Sequence, residues 1–207
     1  MKVLNLYAGI GGNRKLWPDL IEVTAVEWDP KIAGVYRDFF PQDTMIVTDA
    51  HQYLLEHYDE FDFIWSSPPC PSHSRLMNWQ MAQECTPKFP DMKLYEEIIF
   101  LKSWFKGKFC VENVISYYEP LIKPHIMADH YFWSNFFIPE YINGVKRGIA
   151  HEPNNYEYRT NLTGFDLSKY TGIDKQQLLN NCVEPKLGLH VFNSAFKGKQ
   201  EKLGGFE

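Results

Sequence analysis

The chain has no apolar run approaching the roughly 20 residues that span a bilayer, which excludes a membrane-spanning helix. Its opening stretch, MKVLNLYAGIGG, lacks an apolar core followed by a small-residue cleavage site, so no secretory leader is expected. Cysteine is sparse. Cys70, Cys85, Cys110 and Cys182 are widely spaced with no CxxC pair, which argues against a zinc knuckle, a disulfide framework or any other metal site. Free thiols fit a reducing cytosol, and a soluble cytoplasmic protein without a membrane partner is expected. Basic charge is not in excess either: 21 Lys and Arg against 26 Asp and Glu give a net charge of -5, whereas nucleic-acid-binding domains usually carry a basic surplus. Local clusters such as Lys146 with Arg147 can still meet phosphates, so the overall charge is a weak veto. Internal repeats and low-complexity tracts are absent.

What is present is an apolar, aromatic-rich chain of 207 residues, 44% hydrophobic and 16% aromatic, enough for one main core. Strand and helix patterns alternate through its first half. Strands are expected over Val3 to Tyr7, Val23 to Glu27, Met45 to Thr48, Phe61 to Ser66 and Phe109 to Glu112. Helices are expected after Gly12 and over Pro30 to Phe39, Ala50 to His57 and Met92 to Phe105. In the last of these Leu94, Ile98, Leu101 and Phe105 recur at three- and four-residue steps, with Asp91 as cap after Pro90. Repeated βα units imply an α/β fold with a mostly parallel sheet and helices on both faces. From Pro139 to Asp174 the pattern fails and a small irregular lobe is expected. Helices then follow over Gln176 to Cys182 and Leu187 to Phe196, with Gly188 weakening the second.

Ligands of open parallel sheets bind outside the carboxyl ends of the strands, where the strand order reverses. The chemically distinctive residues fall there. Gly9, Gly11 and Gly12 follow strand one, Glu27 ends strand two, Asp49 follows strand three, Cys70 follows strand four, and Glu112 with Asn113 ends strand five. The turn LYAGIGGNR is neither a full GxGxxG fingerprint, since Arg14 holds the third glycine position, nor a P-loop. It lets backbone approach a ligand, and Glu27 can accept from ribose hydroxyls, Trp28 can pack on an adenine face and Asp49 can bond its amino group. The plain alternative is a strand-to-helix turn with Trp28 in the core and Glu27 an exposed strand end. Cys70 is gripped by Pro68, Pro69 and Pro71, which fix φ and remove donors. It is either an aimed nucleophile or a small buried hydrophobe. Glu112 tips the balance, because a carboxylate breaking an apolar strand is costly unless paired or used.

The segments LYAGIGGNR, VEWDP, the D-A step after strand three, PPC and ENV, in this order over about residues 1 to 115, resemble the motifs of the cytosine-5 DNA methyltransferases. The resemblance implies a Rossmann-like S-adenosylmethionine-dependent methyltransferase fold, with S-adenosylmethionine held by Tyr7, Ala8, Gly9, Ile10, Gly11, Gly12, Glu27, Trp28, Asp49, Ala50, Pro69, Asn193 and Ser194. It implies that Cys70 attacks carbon 6 of a flipped-out cytosine, that Glu112 supports ring nitrogen 3 and the amino group, and that Asn113 holds the Glu112 loop or the Cys70 backbone. The cofactor's sulfonium, Arg75 or His73 would make the setting electropositive for the thiolate. Double-stranded DNA is the implied partner, met by Ser72, Arg75, Gln80, Lys146, Arg147 and Arg159, with Arg75 or Gln80 filling the vacated stack. The family's QxRxR motif is missing, and DHYFWSNFF brings His130 to the cytosine carbonyl instead; its GNS motif survives only as FNSAF, with Asn193 and Ser194.

A catalytic and cofactor-binding domain over 1–138, a small target-recognition lobe over 139–174 and a C-terminal helical segment over 175–207 follow. So short a lobe implies a short or relaxed target sequence, or a partner that supplies specificity; the oligomeric state stays open. Competing readings are a tRNA cytosine-5 methyltransferase, an inactive nucleic-acid-binding module, and a thiol protease through His73. A thymidylate synthase-like enzyme would lack the AGIGG turn.

Overall fold

The computed structural model describes residues 1–75, 89–141 and 156–196. Seven strands form one sheet in the order β3-β2-β1-β4-β5-β7-β6. They are β1 (Lys2–Leu6), β2 (Glu22–Glu27), β3 (Thr44–Val47), β4 (Phe63–Ser66), β5 (Lys108–Val114), β6 (His125–Met127) and β7 (His130–Ser134). The first five run parallel and β7 runs antiparallel between β5 and β6. A mostly parallel Rossmann-like sheet with one reversed strand near its edge is the S-adenosylmethionine-dependent methyltransferase pattern expected from the motifs. The helices are α1 (Pro30–Phe39), α2 (Ala50–His57), α3 (Lys93–Trp104), α4 (Tyr156–Thr163), α5 (Lys175–Asn180) and α6 (Pro185–Phe196).

Side-chain alternation along the strands sorts the core into two layers. Leu4, Leu6, Val26, Ile64, Phe109 and Val111 face α2 and α3, where Leu54, Leu94, Ile98 and Leu101 are fully buried against them. On the other face Val3, Phe63, Trp65, Cys110 and Phe132 pack under α6, which contributes Leu187, Val191 and Phe192. A third cluster joins α1, through Val35, Tyr36 and Phe40, to Phe165, Leu167 and Leu179. Part of the expected lobe is therefore packed against the main body, and α4 gives it a helix where no regular element was read.

The helix expected after Gly12 does not form; the segment is a run of turns. Pro18 leaves only residues 13–17 for it, and the side chains of Asn13, Arg14 and Trp17 turn inward to unrelated partners rather than along one helical face. Asn13 Nδ2 donates to Asn5 Oδ1 at 2.7 Å. Arg14 is buried in a two-pronged ion pair with Asp43, Nε to Oδ2 at 2.9 Å and Nη2 to Oδ1 at 3.1 Å. Trp17 stacks on Phe192 at 4.8 Å and donates its Nε1 to the Gly188 carbonyl. The C-terminal helix α6 thus covers the face that a first crossover helix would cover. Gly188 permits this, because a Cβ there would lie 2.5 Å from the Asn13 carbonyl oxygen.

β6 and β7 are joined by a two-residue hairpin turn in which both Ala128 (φ 48) and Asp129 (φ 61) are left-handed. The turn sets the register Met127 opposite His130, and β7 in turn sets His130 opposite Val114. His130 is delivered in this way to the carboxyl edge of β5.

Candidate active site

β1 and β4 are neighbours from which the strand order runs outward in both directions, so their carboxyl ends form the switch point of the sheet. Residues 7–12 and 67–70 leave the sheet there side by side. The turn after β1 is anchored by Ala8 N to the Val26 carbonyl at 3.0 Å and by Gly9 N to Glu27 Oε2 at 2.9 Å. Gly9 is left-handed (φ 55), and a Cβ on it would meet no atom within 4 Å, so open space lies over this part of the turn. Ala8 and Ile10 turn their side chains into the core beside Tyr36 and offer only backbone.

Glu27 Oε1 accepts from Trp28 N at 3.0 Å and Asp29 N at 3.1 Å. With Gly9 N these fill about three of a carboxylate's four acceptor positions and leave one on Oε2. Trp28 is 77% exposed, so its indole is not core. It borders a cavity of about 550 Å³ between the N-terminus of α1 and α5, lined also by Asp29, Lys31, Gly172, Asp174 and Gln177. That cavity does not reach Cys70; it extends the Trp28 side alone. Asp49 caps α2 by accepting from Gln52 N at 3.0 Å, the main cause that lowers its pKa. Pro69 is exposed and Ala50 buried.

Cys70, Glu112, Asn113 and His130 converge at the ends of β4, β5 and β7. Glu112 is 6% exposed. Its Oε1 lies 2.6 Å from His130 Nδ1 and its Oε2 accepts from Ser67 Oγ at 2.8 Å, while Trp65 Nε1 donates to the same Ser67 oxygen at 2.8 Å. Asn113 Nδ2 donates to the Pro68 carbonyl at 2.9 Å, so it holds the backbone of the cysteine loop. Burial first, and the Glu112 carboxylate next, push the Cys70 thiol above its ordinary value.

Of the groups expected to make the setting electropositive, His73 does not do so. His73 is buried (1% exposed), burial lowers its pKa, and its Nδ1 pairs with Tyr118 OH at 2.6 Å. It braces the loop instead, as His73 N and Ser74 N both donate to the Cys70 carbonyl. The protease reading fails with it. Arg75 is exposed, and Ser72 Oγ accepts from Asp91 N at 3.0 Å.

Asn193 and Ser194 are not brought to the glycine turn. They lie five and six residues beyond Gly188, the α6 residue that touches Asn13, and Ser194 Oγ donates within its own helix to the His190 carbonyl. Cys182 and Val183 take that place: a Cβ on Gly12 would lie 2.3 Å from Cys182 Sγ and 2.4 Å from the Val183 carbonyl oxygen. Arg159, on α4, acts electrostatically on Cys182. Gln80, Lys146 and Arg147 lie outside the described residues. Among the described residues no cluster of His, Cys, Asp and Glu could hold a metal ion, and no helix is long and apolar enough to cross a membrane. Ser67 was not legible beforehand, since a serine before two prolines is ordinary turn sequence.

Residues 1–114, more than half of the chain, match the family model described as C-5 cytosine-specific DNA methylase. No curated protein matches. Among solved structures, a DNMT2 variant from Spodoptera frugiperda is similar at 25% identity and TM-score 0.39, over 55% of this chain and 35% of its own. Thermus thermophilus TTHA0928 is similar at 14% identity and TM-score 0.43, over 64% and 73%. SMU.776, solved with SAH, is similar at 16% identity and TM-score 0.36, over 54% and 30%. The chain therefore spans about a third of the DNMT2 structure's length, and its own strand order, rather than these likenesses, carries the fold.

Proposed function

The chain belongs to the C-5 cytosine-specific DNA methylase family, and from that premise we propose that it methylates carbon 5 of a flipped-out cytosine in DNA through a covalent adduct of Cys70. The observation that carries this reading is the meeting of Cys70 and Glu112 at the carboxyl ends of adjacent strands, the carboxylate clamped by Ser67 and His130. The cofactor is S-adenosylmethionine. The residues suit it: open space over Gly9, one unfilled acceptor position on Glu27, the exposed Trp28 and the capping Asp49 form an edge for an adenosine, beside a turn with no phosphate-binding lysine. Bound there, it supplies an electrophilic methyl group on a sulfonium.

The protein's part is to make carbon 5 nucleophilic. The Cys70 thiol gives its proton to water and its sulfur bonds to carbon 6 of the base; the electrons of the 5,6 double bond move towards carbon 4 and nitrogen 3, where Glu112, as the carboxylic acid, donates a hydrogen bond to nitrogen 3 and accepts one from the amino group. Carbon 5 would then take the methyl, the bond to the cofactor's sulfur breaking to leave a neutral thioether. Its proton leaves to water and the electrons return to expel the Cys70 sulfur. Asn113, by fixing Pro68, keeps the cysteine loop in register, and His130 orients Glu112 through Nδ1 and, with both ring nitrogens carrying a proton, donates from Nε2 to the base carbonyl. Ser72, Arg75 and Arg159, with Gln80, Lys146 and Arg147, would meet the phosphates and the vacated stack, and 139–174 would be the reduced recognition lobe.

The experiment is to offer the protein tritiated S-adenosylmethionine with duplex DNA, tRNA and free dCMP. Label in DNA that disappears on Cys70→Ser supports the reading. Label in tRNA alone replaces its substrate, and label in none overturns it. Bisulfite sequencing of DNA from expressing cells is expected to show methylation at short or relaxed sites; methylation confined to one long site would remove the small-lobe reading.

A further inference from the structure

Ser66 precedes Ser67 and points to the opposite face of the sheet. There its Oγ donates to Glu97 Oε2 at 2.6 Å. Glu97, in α3, is fully buried, and its Oε1 takes the Tyr7 hydroxyl at 2.5 Å and lies 3.1 Å from His51 Nδ1. The reaction derived above makes no use of this carboxylate. Burying it is costly unless its acceptor positions are filled. Three separate segments fill them: the residue after β1, the last residue of β4 and the first turn of α2. Two of these are cofactor segments, since Tyr7 opens the glycine turn and His51 follows Asp49 and Ala50. Tyr7 is itself left-handed (φ 54), a backbone conformation that is costly for a non-glycine residue and persists where the surroundings hold it.

We propose that Glu97 is a positioning residue for S-adenosylmethionine, tying the glycine turn to the start of α2 so that the backbone at Gly9 and the side chain of Asp49 meet the ligand preformed. The proposal rests on the functional reading above. Glu97 touches neither base nor cofactor; it acts through Tyr7 and His51.

His51 makes the tie sensitive to pH. Its bond to Glu97 is the largest influence and raises its pKa, against burial and Lys93 of α3; Glu96 of α3, 3.6 Å from Nε2, adds to the rise. Asp49 on its own helix and the Tyr7 hydroxyl complete the groups around this pair. A raised folded pKa means that the charged pair is whole below the ordinary histidine value of about 6.5 and is lost as pH climbs through the folded value. Cofactor affinity is therefore expected to fall with rising pH over that window.

Calorimetric titration of S-adenosylhomocysteine into the whole protein, from about pH 6 to about pH 9, tests this without relying on turnover. Glu97→Gln is expected to lose about tenfold in affinity at the acid end, the worth of one charged hydrogen bond, and to flatten the pH profile. His51→Asn is expected to flatten the profile alone. Tyr7→Phe is expected to weaken binding, with the Tyr7→Phe/Glu97→Gln double variant no weaker than Glu97→Gln, because both act through one contact. Wild-type affinity with an unchanged pH profile in Glu97→Gln overturns the proposal. If that variant does not fold, the same result in His51→Asn and Tyr7→Phe overturns it. Failure of the wild type to bind overturns the functional reading as well, so the two failures are distinguishable.

Discussion

Glu112, on one face of the sheet, and Glu97, on the other, are each held by one serine and one histidine, and the serines are neighbours, Ser67 and Ser66. The period of two along β4 sends the two hydroxyls to opposite sides, so a single strand end equips two buried carboxylates. They differ in what remains. Glu97 has a third donor, Tyr7, and no exposure; among the described residues Glu112 has one partner on each oxygen, which leaves about two acceptor positions unfilled near Cys70. A carboxylate that serves a substrate keeps acceptor capacity; one that holds structure spends it.

That contrast can be broken by removing each acid in turn. Glu112→Gln is expected to lower methyl transfer by roughly 10²- to 10⁴-fold, the range for a group stabilising charge in the transition state, and to leave S-adenosylhomocysteine affinity unchanged. Equal losses in both would mean that the two acids are not separate. Glu97→Ala should show its effect in folding, since it strands two hydroxyls and a histidine; about 3 kcal/mol is expected by urea denaturation, against less than half of that for the same change at Glu112.

The pH response sharpens the same contrast. With its thiol pushed up, Cys70 ionises more as pH rises, so single-turnover rates at saturating cofactor should climb up to about tenfold per unit below the thiol's value. A flat rate would mean that ionisation does not limit the reaction. The smallest effects fall on the serines. Ser67→Ala should cost a few-fold in rate, about 1 kcal/mol, while Ser66→Ala should cost a similar amount in stability and spare the rate at saturation. Exchange of these two outcomes would reverse the assignment of the faces.

Much of the fold was legible because prolines and glycines punctuate its first half and apolar runs mark the buried strands. Cys70, Glu112 and Asn113 stood out because they interrupt that pattern at the strand ends. Glu97 left a fainter mark: it is three residues after Leu94 and four before Leu101, a carboxylate on the buried stripe of α3, explained only by partners distant in sequence, the Tyr7 hydroxyl 90 residues away, Ser66 and His51. The missing helix after Gly12 was hidden because the βα rhythm predicts one there, while its substitute lies at the far end of the chain. Asn193 and Ser194 were assigned from a partial motif, yet contact with the glycine turn is decided by where backbones approach, at Cys182, Val183 and Gly188.

That substitution governs how the chain is made. Trp17 and Gly188 are 171 positions apart, so on the ribosome the α6 face of β1 and β4, with Val3, Phe63 and Trp65, lacks its α6 cover until almost the whole described chain has emerged. Among the described residues of the segment that matches the family model, 1–114, Trp17 touches Phe63 and Trp65 on this face, and α6 completes the cover. Contacts of such long range slow folding and leave the nascent sheet dependent on chaperones. A ribosome stalled before residue 185 would hold a sheet with this face incompletely covered.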